Sequence, residues 1–314
     1  MASPLSSQSA NVKRQVWADG TLVVVTLIWG STFVMVKDVL EQVSPMVLLA
    51  ARFGFGAVSL ALALVVLRRW RGFTMRELAW GSVVGVALWA GYAFQTVGIQ
   101  WTTASNAGFL TGMSVALVPI LGVPILKQVP SRWAWVGVTL AIVGLAMLSL
   151  RLDEGLSVNI GDALVLGCAV AFTFQIVLIS YVAHFGDAIR MTLVQILVAG
   201  VLSAGSAAIF ERPSEGLSAP IWAAIAFLGV VVTAMTIVVM MTVQRFTPAA
   251  HAALIFTLEP VFAALFGIWL QGDRLTSWGW LGATLILTGM LVAELGPYVW
   301  RWAEGGRRTM ARET

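Results

Sequence analysis

Apolar stretches of about 20 residues alternate with short polar loops along nearly the whole chain, and the apolar runs predict helices. Ten such runs can be placed, at residues 19–37, 45–67, 77–99, 105–126, 132–150, 161–183, 190–210, 220–244, 249–271 and 277–296. Each is long enough to cross about 30 Å of hydrocarbon as an α-helix. The loops between them are mostly too short to fold separately. The pattern predicts an all-α integral membrane protein.

A second pattern lies over the first. With a constant offset of 145, Thr102, Ala104, Ala107, Gly122, Trp133, Gly137, Thr139, Leu140 and Gly144 fall on Thr247, Ala249, Ala252, Gly267, Trp278, Gly282, Thr284, Leu285 and Gly289. Gly20, Thr32, Phe33 and Val36 match Gly161, Thr173, Phe174 and Val177 at an offset of 141. Paired Trp positions with shared Gly spacing argue for an internal duplication of five helices. Because five is odd, the second copy must sit upside down in the membrane, giving a 5+5 inverted repeat. The expected organisation is a cytoplasmic N-terminal tail (1–18), a first repeat (19–150), a linker (151–160), a second repeat (161–296) and a cytoplasmic C-terminal tail (297–314).

Composition narrows the class. Hydrophobic residues make up 59% of the chain and charged ones 11%, where a soluble domain carries roughly a quarter. The first fifteen residues are polar, include Lys13 and Arg14 and precede no small-residue cleavage site, so no secretory signal is expected. The net charge of +4 raises the question of an anionic partner, but the basic residues sort by loop. Assuming ten spans, fourteen (Lys13, Arg14, Arg68, Arg69, Arg71, Arg76, Lys127, Arg132, Arg190, Arg245, Arg301, Arg307, Arg308, Arg312) lie on one side, against Lys37, Arg151, Arg212 and Arg274 on the other. That asymmetry puts both termini in the cytoplasm and points to membrane orientation, with no nucleic-acid partner. The single cysteine, Cys168, excludes a disulfide framework and a cysteine-based metal site.

Only two charges fall deep within apolar runs: Arg52 and Glu259. A charge there is costly, about 2.5–3.5 kcal/mol at a helix centre, so each needs a reason. Arg52 could bind a substrate carboxylate, or hold neighbouring helices together through their carbonyls. Glu259 precedes Pro260, which removes a backbone donor and loosens the helix beside the charge. Taking a carboxylate out of water favours a proton or a cation beside it. Glu259 is therefore a candidate for proton coupling or for neutralising a substrate ammonium, the alternative being a packing bond to another helix or to Arg52.

Helical spacing supplies the remaining candidates. Thr111 and Ser114 share a face of the fourth helix with Ala107 and Val118, and their repeat counterparts are Phe256 and Glu259. Trp89, Tyr92, Gln95 and Thr96 form a polar and aromatic stripe on the third helix. Trp29, Ser31 and Thr32 on the first helix and Thr173 and Gln175 on the sixth are weaker candidates, since hydroxyls often bond back to their own helix. Met235, Met240 and Met241 give the eighth helix flexible thioethers that suit varied apolar shapes. His251, aligned with Asn106, is a candidate pH-sensitive gate or a helix-end cap. Asp38 and Glu41 read as solvated loop charges and Glu294 as a membrane-boundary group; Arg68, Arg69 and Arg71 read as loop anchors.

The run Leu27-Ile28-Trp29-Gly30-Ser31-Thr32-Phe33, the pair Arg52-Phe53, the run from Ala104 to Thr111 and the stretch Leu258-Glu259-Pro260-Val261 closely resemble the EamA-type transporters of the drug/metabolite transporter superfamily, over about residues 19–296. The resemblance implies a 5+5 inverted repeat in an inner membrane and export or exchange of amino acids and related small metabolites. It also implies a central cavity bounded by helices one, three, four, six, eight and nine, with Asn106 opening the fourth. One departure stands out: many members have Pro where this chain has Val115, the counterpart of Pro260. Pro119 and Pro124 would shift the kink along the helix.

The expected activity is a secondary carrier of a small amphipathic metabolite, working by alternating access, with lipid and protons as further partners. A passive channel is the alternative. No GxxxxGK[ST] loop is present, so ATP is not the direct energy source and no cofactor is expected. With two distant histidines, His184 and His251, and one cysteine, no catalytic constellation supports a membrane enzyme.

Overall fold

A computed structural model describes residues 4–102, 104–127, 129–149, 160–212, 216–266, 268–269 and 277–310. The expected linker, Arg151 to Asn159, lies outside them, as does Arg274. Among the described residues the regular structure is entirely helical: α1 (Pro4–Leu40), α2 (Pro45–Val66), α3 (Met75–Gly98), α4 (Ala104–Gly112), α5 (Ser114–Leu126), α6 (Arg132–Ser149), α7 (Ile160–Val182), α8 (Ala188–Phe210), α9 (Ala219–Phe227), α10 (Thr236–Val243), α11 (Ala249–Phe256), α12 (Leu258–Phe266) and α13 (Ser277–Met310). A π-helical stretch, Leu228–Met235, joins α9 to α10 without interruption.

Among the described residues, six stretches are long and apolar enough to cross a membrane: Arg14–Leu40, Pro45–Val66, Met75–Gly98, Ile160–Val182, Ala188–Phe210 and Ala219–Val243. Shorter apolar helices occupy Arg132–Gly144, His251–Ala263 and Ser277–Ala293. Two helices outrun the expected spans. α1 begins at Pro4, in the predicted tail, and α13 continues through Pro297 to Met310.

Local chemistry sets the helix starts. Thr74 caps α3 and Glu77 bonds back to the Thr74 amide, a reciprocal capping box. Asp187 caps α8 by accepting from the amides of Ile189 and Arg190. These two starts are tied together: Glu77, fully buried, receives the Arg190 guanidinium at 2.8 Å and the Asp187 amide at 2.9 Å. Arg69 adds a contact to Asp187 at 3.2 Å. The opposite end of α2 is held differently, by the Glu211 carboxylate accepting from the amides of Met46 and Val47 at 2.9–3.0 Å. Each carboxylate satisfies backbone donors that a helix start leaves open.

Tight packing is made by small residues. In lipid, helices gain little from apolar burial alone and associate by close approach of their backbones. A Cβ on Gly137 of α6 would stand 2.6 Å from the Gly289 carbonyl oxygen of α13, and one on Gly144 would stand 2.5 Å from that of Gly282. Rising numbers on α6 meet falling numbers on α13, so the two helices are antiparallel. The contact also maps onto itself: Gly137 and Gly144 are the repeat counterparts of Gly282 and Gly289. Equivalent residues exchange partners, as they do across a two-fold axis. Elsewhere α2 packs on α8, α3 on α7 and α8, and α1 on α12.

Replacing Gly137 with Leu is expected to force these backbones apart and cost about 1–3 kcal/mol, read as a lower thermal midpoint of the protein in detergent. Gly54→Ala, where a Cβ meets nothing within 4 Å, should leave the midpoint unchanged or raise it.

Candidate functional site

The centre of the bundle is built around interrupted helices. α4 and α5 part at Met113, α11 and α12 at Thr257, and the two breaks fall within one position of each other under the 145-residue offset. At each break the amide takes a tighter bond three residues back, Met113 to Leu110 at 3.2 Å and Thr257 to Leu254 at 3.1 Å. In the second copy Pro260 explains the break, since it occupies the first turn of α12, where a missing N–H costs nothing. The first copy breaks without a proline at 115, directly after Gly112, a poor helix former. Pro119 instead lies within α5, six positions beyond the break, so the kink is not displaced towards it.

These breaks border a cavity enclosing about 970 Å³ of space between atoms, its mouth included. Trp29, Thr32, Arg52, Tyr92, Gln95, Thr111, Ser114, Gln175, Phe256, Glu259 and Pro260 all lie on its wall. The symmetry of the scaffold is visible in four repeat-related pairs that both reach it: Tyr92 and Ile237, Gln95 and Met240, Thr111 and Phe256, Ser114 and Glu259. In the first three pairs the first copy supplies a hydrogen-bonding group and the second an apolar one. The fourth sets a hydroxyl opposite a carboxylate.

Arg52 is held by the π-helical stretch. Its Nε donates to the Thr233 hydroxyl at 2.6 Å, and Thr233 in turn donates to the Leu228 carbonyl at 2.8 Å. A second guanidinium nitrogen donates to the Tyr92 hydroxyl at 3.1 Å, and the guanidinium carbon stands 4.4 Å from the Tyr92 ring centre. The backbone of α2 reaches this position because residue 229 is glycine; a Cβ there would collide with the Arg52 carbonyl oxygen. Tyr92 is steadied edge-on by Phe53 and Phe172, with ring centres 5.5 and 5.4 Å away. The same π stretch fixes Trp29, whose indole N–H reaches the Val232 carbonyl at 3.0 Å and the Thr236 hydroxyl at 3.1 Å. Trp29 also leans on Phe256, 5.4 Å between ring centres.

Glu259 is different. Among the described residues no hydrogen bond or ion pair reaches its carboxylate, and Arg52 lies beyond ion-pair distance. On the neighbouring wall the Gln95 amide donates to the Thr111 hydroxyl at 3.2 Å, and Thr111 lies 3.8 Å from the Cys168 sulfur. Thr32 and Thr173 turn their hydroxyls back onto the carbonyls of Trp29 and Ala169, while Thr173 also reaches the Ser114 carbonyl at 3.5 Å. Among the described residues the cavity thus presents a guanidinium with two protein partners and a carboxylate with none.

Two expected residues fall elsewhere. Trp89 packs into the apolar core; on α3 the wall is Leu88, Tyr92, Gln95, Thr96 and Ile99, a helical face that leaves position 89 turned aside. Met235 is about half exposed, and Val232, Ile237 and Met240 reach the cavity in its place. A π turn advances the face by five residues where an α-helix would use three or four, which rotates Met235 outward. The side chains of Asn106 and Pro119 lie outside the described residues. His251 shares a hydrogen bond with Gln15 at 3.3 Å, away from the cavity wall. Sequence reasoning missed Thr233, Phe172 and Phe33, whereas Thr96, part of the expected α3 stripe, lies on the wall.

The model of the EamA-like transporter family matches residues 16–150 and again 159–294. An uncharacterized transporter of Archaeoglobus fulgidus is 34% identical over 90% of this chain and 87% of its own length. Two more distant relatives are the uncharacterized transporter YoaV of Bacillus subtilis (26% identical; 86% of this chain, 94% of YoaV) and the uncharacterized inner membrane transporter YedA of Escherichia coli strain K12 (25%; 89% and 91%). A solved crystal structure superimposes with a TM-score of 0.76 at 19% identity, over 88% of this chain and 98% of the other, and so shares the fold. Two consecutive copies of the family's domain, together with an archaeal relative alike along most of both chains, make this protein a member of the EamA-like transporter family.

Proposed function

We propose that the protein is a secondary carrier that exports a small amphipathic metabolite, an amino acid or a related compound, across the inner membrane by alternating access. The observation that carries the reading is the presence in one cavity of Arg52 and of Glu259, whose carboxylate meets no hydrogen-bond or ion-pair partner among the described residues. Arg52 spends its Nε and one further nitrogen on Thr233 and Tyr92, and its remaining N–H donors suit a substrate carboxylate. Glu259 suits a substrate ammonium or a proton. Between them, Trp29, Phe256, Tyr92 and Phe172 offer a flat apolar lining, the combination expected of a small-molecule site.

Ten spans in a 5+5 inverted repeat, with both termini in the cytoplasm, accommodate these features. The basic residues segregate fourteen to four under that threading. The self-mapping glycine contact between α6 and α13 fits an inverted pair of halves, and the matching breaks at Met113 and Thr257 give both halves a discontinuous helix at the site. Glu259 would exchange protons during the cycle, and the substrate gradient or the proton gradient would drive export. No nucleotide enters the scheme.

A thermal-shift screen of the purified protein against a metabolite library is expected to find its stabilising ligands among compounds bearing both a carboxylate and an ammonium group. Arg52→Lys, which loses the planar donor fork, should weaken the best of them by about tenfold or more. Stabilisation only by neutral lipophiles, indifferent to Arg52→Lys, would contradict the proposal.

Glu259→Gln keeps the shape and removes the charge. In proteoliposomes it is expected to abolish flux or to remove its dependence on an imposed pH gradient. Unchanged flux with unchanged pH dependence would rule out a proton role for this residue.

A further inference from the structure

Two threonine–aspartate hydrogen bonds among the described residues, one at each end of the bundle, are built alike. Thr247, two residues before α11, donates from its hydroxyl to Asp19 of α1 at 2.8 Å. Thr102, two residues before α4, donates to Asp162 of α7 at 2.6 Å. Thr102 and Thr247 are repeat counterparts at the 145-residue offset, and α1 and α7 are the first helices of their copies. Each bond therefore joins the loop before the broken helix of one copy to the opening helix of the other. Both aspartates are buried.

The bonds lie at opposite ends, because α3 and the α9–α10 rod approach their following loops from opposite directions. The cavity lies between them, its wall reaching Ile99, three residues before Thr102, on one side and Met240, seven before Thr247, on the other. Trp29 stands ten residues beyond Asp19, and Phe172 ten beyond Asp162, about 15 Å along each helix. At the Thr102 end the closure is reinforced by backbone contact: a Cβ on Gly161 would stand 2.7 Å from the Gly98 carbonyl oxygen and 2.8 Å from Trp101. At the Thr247 end the Gln15–His251 bond lies on the same two helices, α1 and α11.

We propose that the Thr247–Asp19 and Thr102–Asp162 bonds are the two gates of the cavity, and that the transport cycle breaks them in alternation. The proposal rests on the carrier reading. A helix pair related to the other by two-fold symmetry can open at one end while its counterpart stays shut, and a hydrogen bond shared between the copies at each end couples opening to the motion of one copy against the other. A bond at one end only would make a plug. A matched pair at both ends makes a switch.

The test uses the full chain with Cys168→Ala and one reporter, Gly108→Cys, on the cavity wall, where a Cβ meets only Pro260, at 4.0 Å. The protein is reconstituted in one orientation, and a membrane-impermeant thiol reagent is added to either face. Thr247→Val keeps the shape and removes the hydroxyl; it is expected to raise labelling from the Asp19 face by about threefold to tenfold, the factor that loss of one hydrogen bond puts on a two-state equilibrium, without raising it from the other face. Thr102→Val should do the reverse. Asp19→Ala and Asp162→Ala break the same bonds from the other side and carry the same expectations. Thr247→Ser and Thr102→Ser keep the hydroxyl and should label like the parent. Labelling that is unchanged, or raised equally from both faces, overturns the proposal, as do serine variants that behave like valine. Since labelling is read without flux, these outcomes with saturable flux intact refute the gates alone; a parent protein without saturable flux refutes the carrier reading.

Discussion

Inside hydrocarbon, a backbone N–H or C=O that loses its helical partner must find another within the protein, because no water is there to take its place. That constraint governs where this chain departs from regular α-helix. The breaks at Met113 and Thr257 and the π-helical stretch Leu228–Met235 all border the central cavity. Backbone carbonyls there also hold side chains: the Val232 carbonyl holds the Trp29 indole, and the Leu228 carbonyl holds the hydroxyl that fixes Arg52. Irregular backbone and buried charge thus depend on each other. The irregularity supplies partners for the charge, and the polar cavity makes the irregularity tolerable.

The duplication explains how one chain makes such a place. Each family-domain copy brings one interrupted helix to the cavity, α4–α5 from the first and α11–α12 from the second, with glycines where α6 and α13 touch. Divergence then worked on the lining while the scaffold was kept. Tyr92, Gln95 and Thr111 face the cavity from one copy where Ile237, Met240 and Phe256 face it from the other. The lining is therefore not symmetric: it has a polar side and an apolar side.

Much of this was legible in the sequence for physical reasons. Apolar runs, sorted arginines and two charges deep within those runs are each costly to place otherwise, so Arg52 and Glu259 could be named before any coordinates. The break in the first copy was misplaced because proline was taken as its cause, whereas the helix parts at Met113, directly after Gly112. Met235 was misassigned because a π turn inside an uninterrupted apolar run leaves no mark on composition. Thr233 was missed for the same reason, one threonine among valines whose partner lies 181 positions away. The end bonds at Asp19 and Asp162 escaped because their offset, 143, matches neither of the two offsets that align the rest.

The central claim is that one site is exposed to the two sides in turn. Trans-stimulation tests it most directly: proteoliposomes loaded with a labelled ligand taken from the thermal-shift screen, and efflux followed with and without the same unlabelled compound outside. The account predicts efflux that saturates with internal concentration and accelerates when unlabelled compound is present outside. Efflux that stays linear in concentration and indifferent to the far side would show an open path through the membrane and contradict it.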